Sequence, residues 1–358
     1  MRRRVPKSRR GCLRNKGMEM AMKKKIRVAM ACVAAGLAGG VPGRAPAQEM
    51  VQSFVLQPGW NSIFLEVQPT NTAPDAVFTN AEIRSVWTWS ARVAATTFIQ
   101  DPTETGWNTS EWLVHFPRGG TNAFLSTLYG IYAQRAYLVK IEAATNIALD
   151  VTGRPEMQTP EWAPDAYNLR GFPVDDDVGP VSFQTFFRPS PAHCDRASGQ
   201  LERIYELNAA GQWVLANASN DMSRGIAYWV YCRGASTYAA PLFATTSTGD
   251  GMDFMDSSQS KEMTFQNLTT NAAVCRIKNA EPAIPLAYRS LASLQTVDGW
   301  FDFGTMQELA LAPEQTIPLQ LMLKPDEMVG ARLQNVMVVR DAATTLWYVP
   351  VSAERAAE

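Results

Sequence analysis

From residue 48 onward, apolar positions recur mostly with period two. Tyr137, Val139 and Ile141 alternate with Leu138 and Lys140, and Ile147, Leu149 and Val151 alternate with Ala148 and Asp150. Successive side chains of a strand point to opposite faces, so this alternation predicts half-buried strands with one polar face. Residues 263–265, 274–277 and 300–303 read as further short strands. Leu319, Leu321 and Leu323 fall on one face of another, and residues 335–340 and 346–351 flank 341–345 as a hairpin. Pro58-Gly59 suits a tight turn, because proline fixes φ at the second turn position and glycine tolerates positive φ at the third. Helical spacing is rare. Phe124, Leu125, Leu128 and Tyr132 follow Thr121 at that spacing, with Gly130 as a stop, and a short helix is expected over 74–80. The expected fold is all-β with minor short helices.

The pattern also repeats. Trp60-Asn61-Ser62-Ile63-Phe64-Leu65-Glu66-Val67 aligns with Tyr167-Asn168-Leu169-Arg170-Gly171-Phe172-Pro173-Val174, and Ala136-Tyr137-Leu138-Val139 aligns with Ala227-Tyr228-Trp229-Val230. Between these anchors, residues 83–89 have a partner in 201–207. The anchors keep their order while the loops change length, the mark of an internal duplication. Residues 246–258 then change character, with Thr246-Ser247-Thr248-Gly249-Asp250-Gly251 reading as a linker. The expected organisation is an extension and signal at 1–47, related β-sandwich-like domains at 48–155 and 156–245, and an immunoglobulin-like β-sandwich at 246–358.

The anchors Gln57-Pro58-Gly59-Trp60-Asn61 and Ala227-Tyr228-Trp229-Val230 resemble those of exported bacterial multidomain proteins with tandem "PGWN…AYWV" β-domains. Residues 309–317 resemble a strand-turn-strand common in bacterial immunoglobulin-like modules. The first resemblance covers roughly 54–243 and the second roughly 254–352. Neither implies a catalytic residue.

The N-terminal segment changes the chemistry of the rest. Met22 to Arg27 is a basic start, Val28 to Val41 is apolar and too short to span a bilayer, and Ala45-Pro46-Ala47 places small residues where a signal peptidase reads. A secretory signal is expected, with Gln48 as the first mature residue and Met22 as the true start. Twin-arginine export through Arg9-Arg10 is disfavoured, because the pair lies far from the apolar run. A lipid anchor at Cys32 is disfavoured too, because the sequence before it matches a lipid-attachment box poorly. Residues 1–47 hold 13 of the 33 Lys and Arg but one of the 34 Asp and Glu, so the remainder carries 20 basic and 33 acidic residues, a net charge of −13. Such a surface repels phosphate backbones, which disfavours nucleic acid as a partner. No later apolar run approaches membrane length. Three cysteines remain, and an oxidising compartment permits one bridge, for which Cys194 and Cys232 are the expected pair.

Candidate chemistry is sparse. The two histidines are His115 and His193. His193-Cys194 as a base and nucleophile would need an orienting group and an oxyanion site, and adjacent residues on a strand face apart. No zinc spacing, phosphate loop or nucleophile elbow occurs. Asp175-Asp176-Asp177 and the set Asp250, Asp253 and Asp256 are calcium candidates, though neither fits the twelve-residue loop. No catalytic residue, metal or cofactor is expected. Of the ten tryptophans, Trp60, Trp229 and Trp347 lie in apolar strands and are expected in cores. Trp107, within Thr105-Gly106-Trp107-Asn108, is the expected exposed ring and candidate ligand contact. The sequence is thus expected to encode an exported, non-enzymatic structural or adhesive protein of the periplasm, outer surface or medium, contacting a protein or a glycan. A carbohydrate-binding accessory protein is the alternative.

Overall fold

The structure is a computed structural model describing residues 29–32, 48–90, 112–157, 159–255, 260–280, 282–290, 299–341 and 344–355. Its first unit contains strands β1 (Ala29–Cys32), β2 (Met50–Leu56), β3 (Gly59–Leu65), β4 (Val67–Pro69), β5 (Ile83–Trp89), β6 (Trp112–His115), β7 (Arg135–Ile141) and β8 (Ile147–Pro155), with helix α1 (Pro74–Val77). They make two four-stranded sheets, ordered β1-β2-β8-β4 and β3-β7-β5-β6. β1 lies inside the segment read as a signal and pairs antiparallel with β2, Ala29 opposite Ser53.

β8 shows the expected alternation: Leu149 and Val151 are buried and Ala148, Asp150 and Thr152 exposed. β7 does not. Leu138 is as deeply buried as Tyr137 and Val139. The cause is a third layer. One face of the β3-β7-β5-β6 sheet places Ile63, Val86, Tyr137 and Val139 against Met50, Phe54 and Leu149 of the first sheet. Its other face places Trp87, Trp112 and Leu138 against Trp213 and Trp229 of the second unit. A sheet covered on both sides has no polar face.

The second unit holds β9 (Ala166–Arg170), β10 (Val181–Ser182), helix α2 (Phe183–Phe187), β11 (Ile204–Leu207), β12 (Trp213–Leu215), β13 (Asp221–Met222) and β14 (Tyr228–Cys232). Its main sheet is ordered β12-β11-β14-β9, and the first unit's β6-β5-β7-β3 follows the same order. Two side-chain devices recur with it. Asn61 takes the Gln57 amide at 2.8 Å and donates to the Gln57 carbonyl at 2.8 Å; Asn168 does the same with the amide and carbonyl of Ala163, at 2.9 and 3.1 Å. Each asparagine fixes the turn that feeds its strand. The buried Tyr137 hydroxyl accepts from the Tyr132 amide at 2.8 Å, and that of Tyr228 from the Ser223 amide at 2.9 Å. In the second unit α2 covers the far side of the sheet, capped by Ser182, whose Oγ accepts from the Thr185 amide at 3.1 Å. It buries Phe183, Phe186 and Phe187.

The third unit is a sandwich of β15 (Leu242–Thr246), β16 (Met252–Asp253), β17 (Ser260–Asn267), β18 (Ala273–Asn279), β19 (Leu286–Ser290), β20 (Phe301–Asp302), β21 (Met306–Leu311), β22 (Thr316–Leu323), β23 (Arg332–Asp341) and β24 (Leu346–Glu354). Its sheets run β15-β17-β22-β19-β20 and β16-β24-β23-β18-β21. β23 and β24 form the expected hairpin, Arg332 opposite Glu354 through Arg340 opposite Leu346. Part of the expected linker is structured: Met252 and Asp253 pair in parallel with Val351 and Ser352. Met252 and Phe254 are fully buried and anchor a stretch that is polar on average.

The helix expected after Thr121 reduces to a 3-10 turn at Ala123–Leu125. The segment satisfies its backbone against β6 instead of against itself. The amides of Thr127 and Leu128 both donate to the Val114 carbonyl, at 2.7 and 2.8 Å. The Val114 and Phe116 amides donate in return to the Thr127 and Ser126 hydroxyls, each at 3.0 Å. Serine and threonine offer the backbone this alternative to helix.

Candidate functional site

The three units meet at a buried ion pair. Glu66 follows β3, Arg224 precedes β14, and Leu346 and Tyr348 belong to β24. Arg224 Nε lies 2.7 Å from Glu66 Oε2, and the two side chains are 6% and 7% exposed. Arg224 Nη1 donates to the carbonyls of Val174 and Leu346, at 3.2 and 3.1 Å. The guanidinium also sits 4.8 Å from the Tyr348 ring centre. Backbone bonds close the joint. Phe64 N donates to Gly225 O at 2.8 Å, Leu346 N to Pro173 O at 2.9 Å and Asp175 N to Thr344 O at 3.0 Å. Burial pushes the Glu66 carboxyl above the usual carboxylate range, with Arg224 pulling it down.

The acidic cluster at 175–177 belongs to this joint. Arg340 reaches Asp175 at 2.6 Å and Asp177 at 3.1 Å, and the Arg224 amide donates to Asp176. Arginines therefore hold the carboxylates that were candidates for calcium. In the other candidate set, Asp253 accepts from the Ser352 hydroxyl at 2.9 Å, and Asp256 lies outside the described residues. Among the described residues, no three His, Cys, Asp or Glu side chains converge as a metal site.

His193 turns away from Cys194. Its Nδ1 bonds the Ser190 hydroxyl at 2.7 Å, and its ring lies 4.2 Å from that of Trp162. Burial, with the charge of Arg170, lowers its pKa to about 3. Burial raises the Cys194 thiol. The expected bridge is corrected by the structure: Cys194, Cys232 and Cys275 are free and buried. Cys194 Sγ faces Gln184 at 3.8 Å, while Cys232 Sγ donates to Gly234 O at 3.2 Å. Each thiol is held by its own loop. Membership of one unit does not bring two Cβ atoms within bridging reach. His115, buried in β6, lies 3.2 Å from Asp75.

The tryptophans fill interfaces. Trp87, Trp112, Trp162, Trp213, Trp229 and Trp347 are all buried. Trp89 packs edge-on at 5.1 Å from Trp112 and 5.4 Å from Trp229, joining the first two units. Trp60, expected in a core, is half-buried, with the Lys140 ammonium 5.2 Å from its ring centre. Trp107 lies outside the described residues.

The exposed rings are elsewhere. Phe124 is 82% exposed and Tyr129 80%, and Leu125 and Tyr132 are also exposed. The Arg135 guanidinium lies 5.5 Å from the centre of the Tyr132 ring. Leu128 and Ile131, between them, are buried and anchor the segment to the first core. The helical spacing of Phe124, Leu125, Leu128 and Tyr132 predicts one shared apolar face, whereas the structure buries Leu128 and exposes the other three. The available signal was Gly119-Gly120-Thr121-Asn122 before them and Gly130 among them, a glycine-bracketed loop rich in large apolar side chains. A loop that exposes several such residues from an anchored base is a candidate contact surface.

No protein-family model and no curated protein sequence matches the chain. Among solved structures it is similar to the ASH/PapD-like domain of human CEP192, at 8% identity over 33% of this chain and 87% of that one, TM-score 0.20. It is also similar to the C-terminal domain of the Streptococcus pyogenes antigen I/II-family protein AspA, at 6% identity over 87% and 93%, TM-score 0.19. Likenesses this slight carry neither the fold nor a function.

Proposed function

We propose that this chain is an exported, non-enzymatic binding protein of the cell surface or matrix, and that residues 124–132 make its contact with a protein or a glycan. The exposure of Phe124 and Tyr129, on a segment anchored by Leu128 and Ile131, is the observation that supports this reading. Exposing large apolar rings is costly unless a partner covers them. Locking the three units around Arg224 keeps the segment's base rigid, which lowers the entropy lost on binding. The net charge of −13 left after removal of residues 1–47 points away from nucleic acid. The amphipathic rings of Tyr129 and Tyr132 favour the carbohydrate form of the reading, because a sugar presents both apolar C–H faces and hydroxyls.

Retention on insoluble chitin, xylan and cellulose tests it, comparing the protein with a Phe124→Ser/Tyr129→Ser variant. The variant should lose retention and keep its melting temperature, since both side chains lie in solvent. Equal retention of both would remove 124–132 from the contact. Soluble sugar released from any of the three would refute the non-enzymatic reading.

A further inference from the structure

A cavity of about 30 Å³ lies where the three units meet, walled by Phe64 and Pro155 of the first, Glu156, Arg170 and Phe172 of the second and Trp347 of the third. That volume suits one or two waters or a small ion and excludes a sugar ring. Several polar groups on its wall are already matched. Glu66 holds Arg224 at 2.7 Å, and Gln134 Nε2 donates to the Glu156 carbonyl at 2.7 Å. Arg170, the last residue of β9, is not matched. Its Nε is sealed from solvent without a hydrogen-bond partner. Among the described residues no carboxylate pairs with it, and its cationic contact is the Trp162 ring, 4.9 Å away.

The cavity wall also carries the carboxylates of Glu66, which Arg224 holds, and Glu156, and among the described residues neither forms an ion pair with Arg170. His193 stays neutral, and Cys232 is a thiol whose pKa burial raises to about 11. Burial lowers the Arg170 pKa to about 10, which leaves it cationic at neutral pH. Arg170 is half-buried, but an Nε shut off from water without a partner is unfavourable, and a guanidinium is the side chain best shaped to take a planar anion through two parallel bonds. We propose that Arg170 and this cavity form a binding site for one small monovalent anion, a halide or a carboxylate group, which completes the joint between the units.

The test is thermal melting of the full chain and of Arg170→Gln at fixed ionic strength, while sulfate is exchanged for chloride, bromide or acetate. The expected result is a saturable rise in melting temperature for the unsubstituted protein and none for Arg170→Gln. A rise with halides alone identifies a halide site, and a rise with acetate alone identifies a carboxylate site. Equal responses of the two proteins, or no response of either, would overturn the proposal. Should Arg170→Gln fail to fold, crystals of the unsubstituted protein grown in bromide decide the matter. An anomalous peak beside Arg170 supports the site, and a cavity without one refutes it.

Discussion

Replacing Arg224 by methionine should destabilise the protein by about 3–5 kcal/mol at pH 7.5, the cost of leaving one member of a buried ion pair alone. The apolar stem is kept, so the loss comes from the charge and its bonds. Glu66 stays in place at 7% side-chain exposure with its 2.7 Å partner gone. The Val174 and Leu346 carbonyls lose a donor as well. The pH dependence carries a definite sign. Burial already raises the Glu66 pKa in the folded state, and deleting Arg224 removes the main influence lowering it. The folded variant therefore binds a proton at a pH where the unfolded chain does not, and its stability rises as pH falls through that folded pKa. Urea unfolding at pH 7.5 and pH 5 measures this, and the deficit relative to the unsubstituted protein should shrink at pH 5. Glu66→Leu combined with Arg224→Met should recover at least half of the loss, because an apolar pair leaves no charge stranded. A deficit below about 1 kcal/mol, or one equal at both pH values, would refute the account of the joint.

His193 gives the opposite pH dependence. Its pKa of about 3 in the folded state lies below the unfolded value of 6.5. The unfolded chain therefore binds the extra proton between these values, and stability falls as pH drops, by up to about 1.4 kcal/mol per unit from this one group. His193→Gln should flatten melting temperature against pH between 6.5 and 4; an unchanged slope would show that other groups set it. The free, buried thiols predict a chemical count. A chain lacking residues 1–47 should show no rapid reaction with a thiol reagent when folded and three thiols when unfolded without reductant, whereas a count of one would restore the bridge.

Several elements were legible because their cause is local. β8 and the β23–β24 hairpin follow from period-two alternation around a turn, and the aligned anchors carry Asn61 and Asn168, like Tyr137 and Tyr228, which perform the same hydrogen-bonding task in the first and second units. Leu138 was misjudged because the layer that covers it comes from Trp213 and Trp229 in the second unit. The helix after Thr121 failed because spacing cannot show that the backbone will bond β6. The joint was illegible for a similar reason. Glu66 and Arg224 lie 158 residues apart, and nothing near either names the other. The bracketing glycines mark 124–132 as a loop, but which of its apolar residues are exposed depends on the core it meets.

The joint around Arg224 also determines how the molecule would respond to a pull. A partner tugging on 124–132 draws on β6 and β7, whose sheet is bonded to the second unit from Phe64 to Gly225. Pro173 and Asp175 pass the strain to Leu346 and Thr344, on or beside β24. Tension applied at the aromatic loop thus reaches the C-terminal hairpin through hydrogen bonds and an ion pair acting in parallel with the covalent chain. Such a body takes up force by stretching many short bonds slightly, and it holds its partner at a nearly constant distance while doing so.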